Sequence, residues 1–217
     1  MEDNLNPKLL QITDKVKEHM QGISADHDIT HVDRVTNNAM HIAMAPFPNR
    51  LSTEQTTIDM ELIMTAATLH DVDDHKLFPD SENLSNARRI LKEVGYDDKF
   101  SDKVCHIIEQ VSFSKNAGKI PDSVEAMVVQ DADRLDSIGA IGIARTFAYS
   151  GAHGRSLEDS IEHFYSKLFK IKDMLNTTTA RQMAGARHEL MKHYIFQYMI
   201  EAGTSLERYI ELQNAYL

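Results

Sequence analysis

Apolar residues recur at i, i+3, i+4 and i+7 through nearly every segment of this 217-residue chain. That period builds amphipathic helices and little else. Val32, Val35, Ala39 and Ile42 form one stripe, and Ile58, Leu62, Ala66 and Leu69 form another. Leu84, Ala87, Leu91 and Val94 repeat the pattern, as do Val104, Ile107, Ile108 and Val111, then Val124, Met127, Val128 and Leu135. Ile161, Phe164, Leu168, Ile171 and Leu175 follow, and Leu190, Met191, Tyr194, Ile195 and Met199 close the series. Strand-like alternation never persists beyond a few residues, so the expected fold is all-α. The chain is long enough to bury a full core. Five Pro and nine Gly leave no linker, and no repeat or low-complexity tract is present, so a single domain over residues 1–217 is expected, a helical bundle.

Start and stop signals divide the stripes. Ser52 with Gln55, and Thr204 with Glu207, have the spacing of a capping box. Pro46-Phe47-Pro48-Asn49 cannot continue a helix and separates the second from the third. Gly95 and Pro121 mark two further junctions. Ser150-Gly151-Ala152-His153-Gly154-Arg155-Ser156 has loop composition and little to pack, which predicts a mobile loop.

The chemistry concentrates where an apolar segment ends. Leu62, Ile63, Met64, Ala66, Ala67 and Leu69 read as a buried helix, and directly after them stand His70-Asp71-Val72-Asp73-Asp74. Unpaired buried charge costs several kcal/mol, so three carboxylates beside an imidazole call for a neutraliser, and a divalent cation supplies one. His31 lies upstream and Asp131-Ala132-Asp133-Arg134-Leu135-Asp136 downstream. Imidazole and carboxylate without thiolate suit Mn, Fe, Ni, Zn or Mg rather than a structural zinc; Mn is the first expectation. Adjacent residues on a helix point about 100° apart, so His70 and Asp71 share an ion only where the helix ends. The ligands come from separate helices, as in the metal sites of helical bundles. Asp131 and Asp133 point about 200° apart, so one ion does not readily take both, and the apolar stripe does not choose between them.

Composition removes other functions. A formal net charge of -10 argues against stable nucleic-acid binding, which needs a basic face, but not against a phosphate ligand met by clustered cations. Cys105 is the only cysteine, so no internal disulfide and no cysteine-based zinc site can form; on an apolar helix face it reads as a small buried side chain. The opening Met-Glu-Asp-Asn lacks the plan of a signal peptide, and no apolar run approaches the roughly 20 residues of a membrane span. A soluble cytoplasmic protein without membrane contact, monomeric or homodimeric, is expected.

His31, then Leu69-His70-Asp71, then Ala132-Asp133-Arg134-Leu135 resemble the motifs of the HD-domain metal-dependent phosphohydrolase superfamily. Two longer stretches resemble its YpgQ/YedJ-like branch. One is His27-Asp28-Ile29-Thr30-His31-Val32-Asp33-Arg34-Val35, and the other runs from Val129-Gln130-Asp131 through Gly139-Ala140-Ile141-Gly142 to Arg145. The resemblance covers about residues 20 to 160; the helices from about 158 to 217 carry no named motif and are expected to pack on that core. It implies an all-α fold of the HD type and a divalent ion held by His31, His70, Asp71 and Asp133. Asp133 is chosen because the superfamily pattern places its ligand within Ala-Asp-(Arg or Lys)-aliphatic. Asp131 is then a packing group or a partner of the ligands, with Asp136 beside Asp133.

The same resemblance implies a role for Asp74, since related enzymes carry an acid at this offset: ordering an attacking water, or accepting its proton, beside a metal that acidifies it. Lys76 is placed to neutralise phosphate charge or simply to sit solvated. Arg34 lies one turn after His31 and can reach a phosphate or brace a carboxylate. His27, one turn before His31, is a candidate phosphate donor, and the resemblance places Lys115 of Ser112-Phe113-Ser114-Lys115 near substrate. Arg145, His153 and Arg155 are three cations for a polyphosphate tail, with the 150–156 loop closing over it. His19, His41, His163, His188 and His193 have no partner spacing. The branch points to nucleoside triphosphates cleaved to monophosphate and pyrophosphate, deoxynucleotides favoured. Phosphomonoesterase, cyclic-nucleotide phosphodiesterase and a metal- and nucleotide-binding sensor with little turnover remain open beside it.

Overall fold

The stripe that ends at Leu69 becomes the buried centre of the first of two units. A computed structural model describes residues 6–22, 29–45 and 58–216, and among these all regular structure is helical. The units are Met1–Asp133 and Arg134–Leu217. The boundary between them falls inside a helix, so no Pro, Gly or polar run marks it.

In the first unit α3 (Met60–Leu69) is buried at Leu62, Ile63 and every position from Thr65 to Leu69. The small Ala66 and Ala67 leave room for neighbours on all sides, and α1 (Pro7–His19), α2 (Ile29–Met44) and α5 (Asp98–Glu109) pack against α3. Asp59 begins it by accepting from the Leu62 N–H at 3.0 Å. Helix α4 (Ser85–Glu93) packs on α5 and α1. After the short α6 (Phe113–Asn116), α7 (Val124–Asp136) is joined to α2 by Asn38, whose amide donates to the Ala132 carbonyl at 3.3 Å. Gln130, fully buried, donates to the Gln110 carbonyl at 2.7 Å and ties α7 to the end of α5. Cys105 is buried as expected, and that burial pushes its thiol up to about 11, so it stays a protonated apolar group.

The second unit holds α8 (Gly139–Ala152), α9 (Leu157–Ser166), a 3-10 helix (Leu168–Met174), α10 (Thr178–Glu201) and α11 (Leu206–Tyr216). Helix α10 packs on α8 and the 3-10 helix, and α9 packs on α8, the 3-10 helix and α11. Phe164, Tyr165, Leu168, Phe169, Ile171 and Leu175 fill the core with Met191, Ile195 and Met199.

Four sequence expectations change here. The stripe from Ile161 to Leu175 is not one helix: the chain breaks at Lys167 (φ -133°, ψ -60°) and resumes as the 3-10 helix, which keeps the same residues buried. Leu190 and Tyr194 are exposed although Met191, Ile195 and Met199 are buried, so α10 carries apolar residues on more than its packed face. Ser205 Oγ, not Thr204, accepts from the Arg208 N–H at 3.2 Å before α11. The 150–156 segment is a tight helix-to-helix turn rather than an open loop. Helix α8 runs on to Ala152, Gly154 turns at φ 64°, and Ser156 and Asp159 form a reciprocal capping box that starts α9. Pro46 to Asn49, Ser52 and Gln55 lie outside the described residues.

Candidate metal centre

Helix α3 ends at Leu69, and His70 is its C-cap (φ -60°, ψ -28°). This is the condition under which neighbouring side chains can face one point. His70 Nδ1 lies 2.9 Å from the Ala67 carbonyl; a carbonyl only accepts, so Nδ1 carries the proton and a neutral ring leaves its Nε2 lone pair free to bind. That Nε2 faces His31 Nε2, from α2, at 3.2 Å. Asp71 presents Oδ2 to His31 Nε2 and Oδ1 to His70 Nε2, each at 3.3 Å. His31, His70 and Asp71 are all buried, with ligand-capable atoms within 4.8 Å of one another. From α7, Asp133 Oδ1 stands 3.5 Å from His31 Nε2 and 3.8 Å from His70 Nε2. Asp131, two residues earlier, is wholly buried.

These atoms fit a divalent cation. Around an ion with bonds of about 2.1 Å, ligands at right angles lie about 3.0 Å apart and opposed ones about 4.2 Å. The spacings of 3.2 to 3.8 Å fall in that interval. A buried carboxylate, a second at the partly exposed edge and an imidazole lone pair drawn this close need positive charge among them, and outward-facing Nδ1–H bonding is how a ligating histidine is usually fixed. When both imidazoles are protonated, burial works to raise the Asp133 carboxyl, but the hydrogen bond from His31 and the charge of the two rings hold it below the ordinary carboxylate range. It is therefore an anion at neutral pH.

The other candidates are distributed differently. Asp74 Oδ1 accepts from the Lys76 N–H at 2.9 Å in a turn, and Asp74 N–H donates to the Asp71 carbonyl at 3.1 Å, so backbone bonds link it to a residue of the cluster. The Lys76 and Lys115 side chains are exposed. Arg34 donates to Thr30 Oγ1 at 2.9 Å on α2. His27 lies outside the described residues. In the second unit, Arg145 donates to Asp136 at 2.8 Å, and the Asp136 side chain is only 2% exposed. Arg145, expected to meet a phosphate tail, is also engaged in neutralising a buried carboxylate. Arg145→Ala is expected to lower stability by about 1.5–3 kcal/mol, the worth of a hydrogen bond to a charged group, read as a lower midpoint in urea. His153 stacks on Tyr149 with ring centres 3.9 Å apart, and the Arg155 guanidinium lies over the same ring at 5.0 Å, so both gather on an aromatic side chain in place of forming a loose cationic loop.

Asp73 departs most from expectation. It stands in the acidic run but its carboxylate accepts from the Asn86 N–H (2.9 Å), the Ala87 N–H (2.8 Å) and the Ser81 hydroxyl. Its charge is met by the start of α4, with no ion required. His19 also gains a place: its ring stacks on Phe78 at 4.3 Å and its Nε2 lies 3.1 Å from the Val72 carbonyl. Neither contact has a sequence signal, because every partner is distant along the chain.

An all-helical fold with histidine, a His-Asp doublet at a helix end and an aspartate on a later helix defines a metal-dependent hydrolase of the HD type. The HD domain family model matches residues 28–138, and the chain belongs to that family; it is a metal-dependent phosphohydrolase. It is 38% identical over 203 residues to YpgQ of Bacillus subtilis (strain 168), an uncharacterized protein, covering 88% of this chain and 93% of that one. The crystal structure of Bacillus subtilis YpgQ in complex with ADP superposes with a TM-score of 0.72 at 37% identity, over 89% of this chain and 94% of that chain. A crystal structure of an HD-superfamily hydrolase from Bacillus thuringiensis gives 0.70 at 36% identity, over 91% and 98%.

Proposed function

We propose that the protein is a nucleoside triphosphate pyrophosphohydrolase that releases a monophosphate and pyrophosphate, with deoxynucleotides preferred and Mn as the working ion. The observation that carries the reading is the meeting of His31, His70 and Asp71 at one buried point, with Asp133 Oδ1 3.5 Å and 3.8 Å from the two imidazoles. The nucleotide class is supported by the ADP complex of YpgQ. His31, His70, Asp71 and Asp133 hold the ion, which supplies charge against phosphoryl oxygens and lowers the pKa of water. Asp74 orients the attacking water and takes its proton. Lys76, Lys115 and Arg34 are the cations offered to phosphate, which a chain of net charge -10 must attract locally; Arg155 is a weaker member, being drawn to Tyr149.

Phosphorus NMR of a deoxynucleoside triphosphate incubated with the Mn-loaded protein tests this. Pyrophosphate and monophosphate in equal amounts are expected. Orthophosphate as the first product would instead mean cleavage of the terminal anhydride and overturn pyrophosphate release. Orthophosphate from a monophosphate alone would favour a phosphomonoesterase, and no turnover with retained nucleotide binding would favour a sensor. Asp74→Asn is expected to keep nucleotide binding, because the amide oxygen can still accept the Lys76 N–H, while kcat falls about 10²–10⁴-fold with the loss of the base. Unchanged kcat would remove Asp74 from the chemistry.

The choice between the two aspartates is also testable. Asp133→Ala is expected to deplete bound Mn as strongly as His70→Ala, whereas Asp131→Ala, at a wholly buried position, is expected to lower stability with Mn retained. Elemental analysis of the purified variants reads the difference, and the reverse pattern would transfer the ligand to Asp131.

A further inference from the structure

The short segment between Asp71 and Asp74 is fixed to the fold by groups that no role above uses. Helix α4 begins after Leu84, which sits at φ 54° and gives no side-chain cap. Asp73 supplies the missing acceptor: Oδ1 takes the Asn86 N–H at 2.9 Å together with the Ser81 hydroxyl, and Oδ2 takes the Ala87 N–H at 2.8 Å. The preceding carbonyl, Val72, accepts from the Asn86 amide at 3.0 Å and from His19 Nε2–H at 3.1 Å. The Val72 side chain is itself fully buried. The peptide unit between Val72 and Asp73, one residue beyond Asp71, is thus pinned to α1 on one side and α4 on the other, and His19 closes the turn by stacking on Phe78.

We propose that Asp73 is a positioning residue for the metal centre. By clamping this segment onto the start of α4, it holds Asp71 with one oxygen toward each imidazole. The proposal rests on the reading of His31, His70, Asp71 and Asp133 as the ion's ligands. Both Asp71 contacts are 3.3 Å long, so a shift of the segment by a fraction of that length opens at least one of them. Groups that orient metal ligands without touching the ion typically contribute 10–100-fold in affinity. The second carboxylate of His-Asp-Val-Asp is therefore a clamp set beside a ligand, and its partner is a helix end that follows it in the chain.

Calorimetric titration of the metal-free full chain with Mn tests the proposal, on variants whose helicity is checked by circular dichroism. Asp73→Ala is expected to raise the Mn Kd about 10–100-fold. Asp73→Asn keeps one acceptor oxygen but turns an amide toward a backbone N–H, and is expected to weaken Mn less than Asp73→Ala does. Asn86→Ala removes the side-chain bond to Val72 while leaving the backbone donor, and is expected to weaken Mn in the same direction. Leu91→Ala opens a cavity one turn beyond Ala87 in the same helix while leaving every Asp73 and Asn86 hydrogen bond in place, and its Mn affinity is expected to match wild type. Wild-type affinity in Asp73→Ala, with binding abolished in His70→Ala, would overturn the positioning role and leave the ligand reading standing. Equal losses in Leu91→Ala and Asp73→Ala would overturn it as well, by reducing it to general destabilisation. Should Asp73→Ala fail to fold, wild-type affinity in both Asp73→Asn and Asn86→Ala would do the same. A wild-type chain that takes up no Mn would instead defeat the ligand reading itself.

Discussion

His70→Ala and Asp71→Ala are each expected to remove bound metal and phosphohydrolase activity together while leaving the helices nearly intact. Each side chain contributes at least one atom to a buried cluster spanning 4.8 Å, and the carboxylate left behind has lost part of the positive charge that balanced it. The effect on stability separates metal loss from unfolding. At a Mn concentration one hundred times its Kd, binding to the native state adds about 2.7 kcal/mol, which for a domain of this size raises Tm by about 5–10 °C. The wild-type chain is expected to show that rise and both variants to lack it. Without Mn, His70→Ala forgoes the bond to the Ala67 carbonyl, about 1 kcal/mol, and helical ellipticity changes little. Full activity in either variant, or an undiminished Mn-induced rise in Tm, would end the metal-centre reading.

Gly142→Ala is expected to destabilise the protein more than any surface change, by about 3 kcal/mol, because it overpacks a place with no give. A Cβ there would stand 2.2 Å from the Ser137 carbonyl oxygen and 2.7 Å from its carbon. Both are backbone atoms, so relief requires the chain itself to move. Thermal unfolding should show a loss of about 6–12 °C in Tm. Gly151→Ala on the same helix is the contrast: nothing lies within 4 Å of its added Cβ, and the better helix former should be neutral or stabilising by up to about 1 kcal/mol. A Gly142→Ala protein as stable as wild type would contradict the close approach. The glycine is part of the long segment that carries the family resemblance, and its reason for being there is packing, whereas Asp133, earlier in the same segment, faces the imidazoles.

Helices were legible where burial falls on one stripe, as in α2 and α5, since periodicity records which side faces the core. Periodicity does not record how a helix ends. The apolar spacing from Ile161 to Leu175 survives the break at Lys167 because the 3-10 helix buries the same residues. Ser150 to Ser156 has the composition of a loop, yet a capping box and a left-handed glycine turn those same polar residues into a tight corner.

At the site, the imidazoles and the His-Asp doublet stood out because a buried helix ends in charge. Asp73 did not separate from Asp71, since its donors come from Ser81, Asn86 and Ala87, which only the fold brings near. The ion pair of Arg145 was hidden for the same reason: Asp136 is in view in the sequence, but that the two meet is a property of the fold of the second unit.

Diffraction from crystals grown with Mn, collected at an energy where Mn scatters anomalously, tests the central claim most directly. A peak about 2.1 Å from His31 Nε2, His70 Nε2, an oxygen of Asp71 and an oxygen of Asp133 is the predicted result. A peak bound instead by Asp131 or Asp73, or no peak between the two imidazoles, would contradict it.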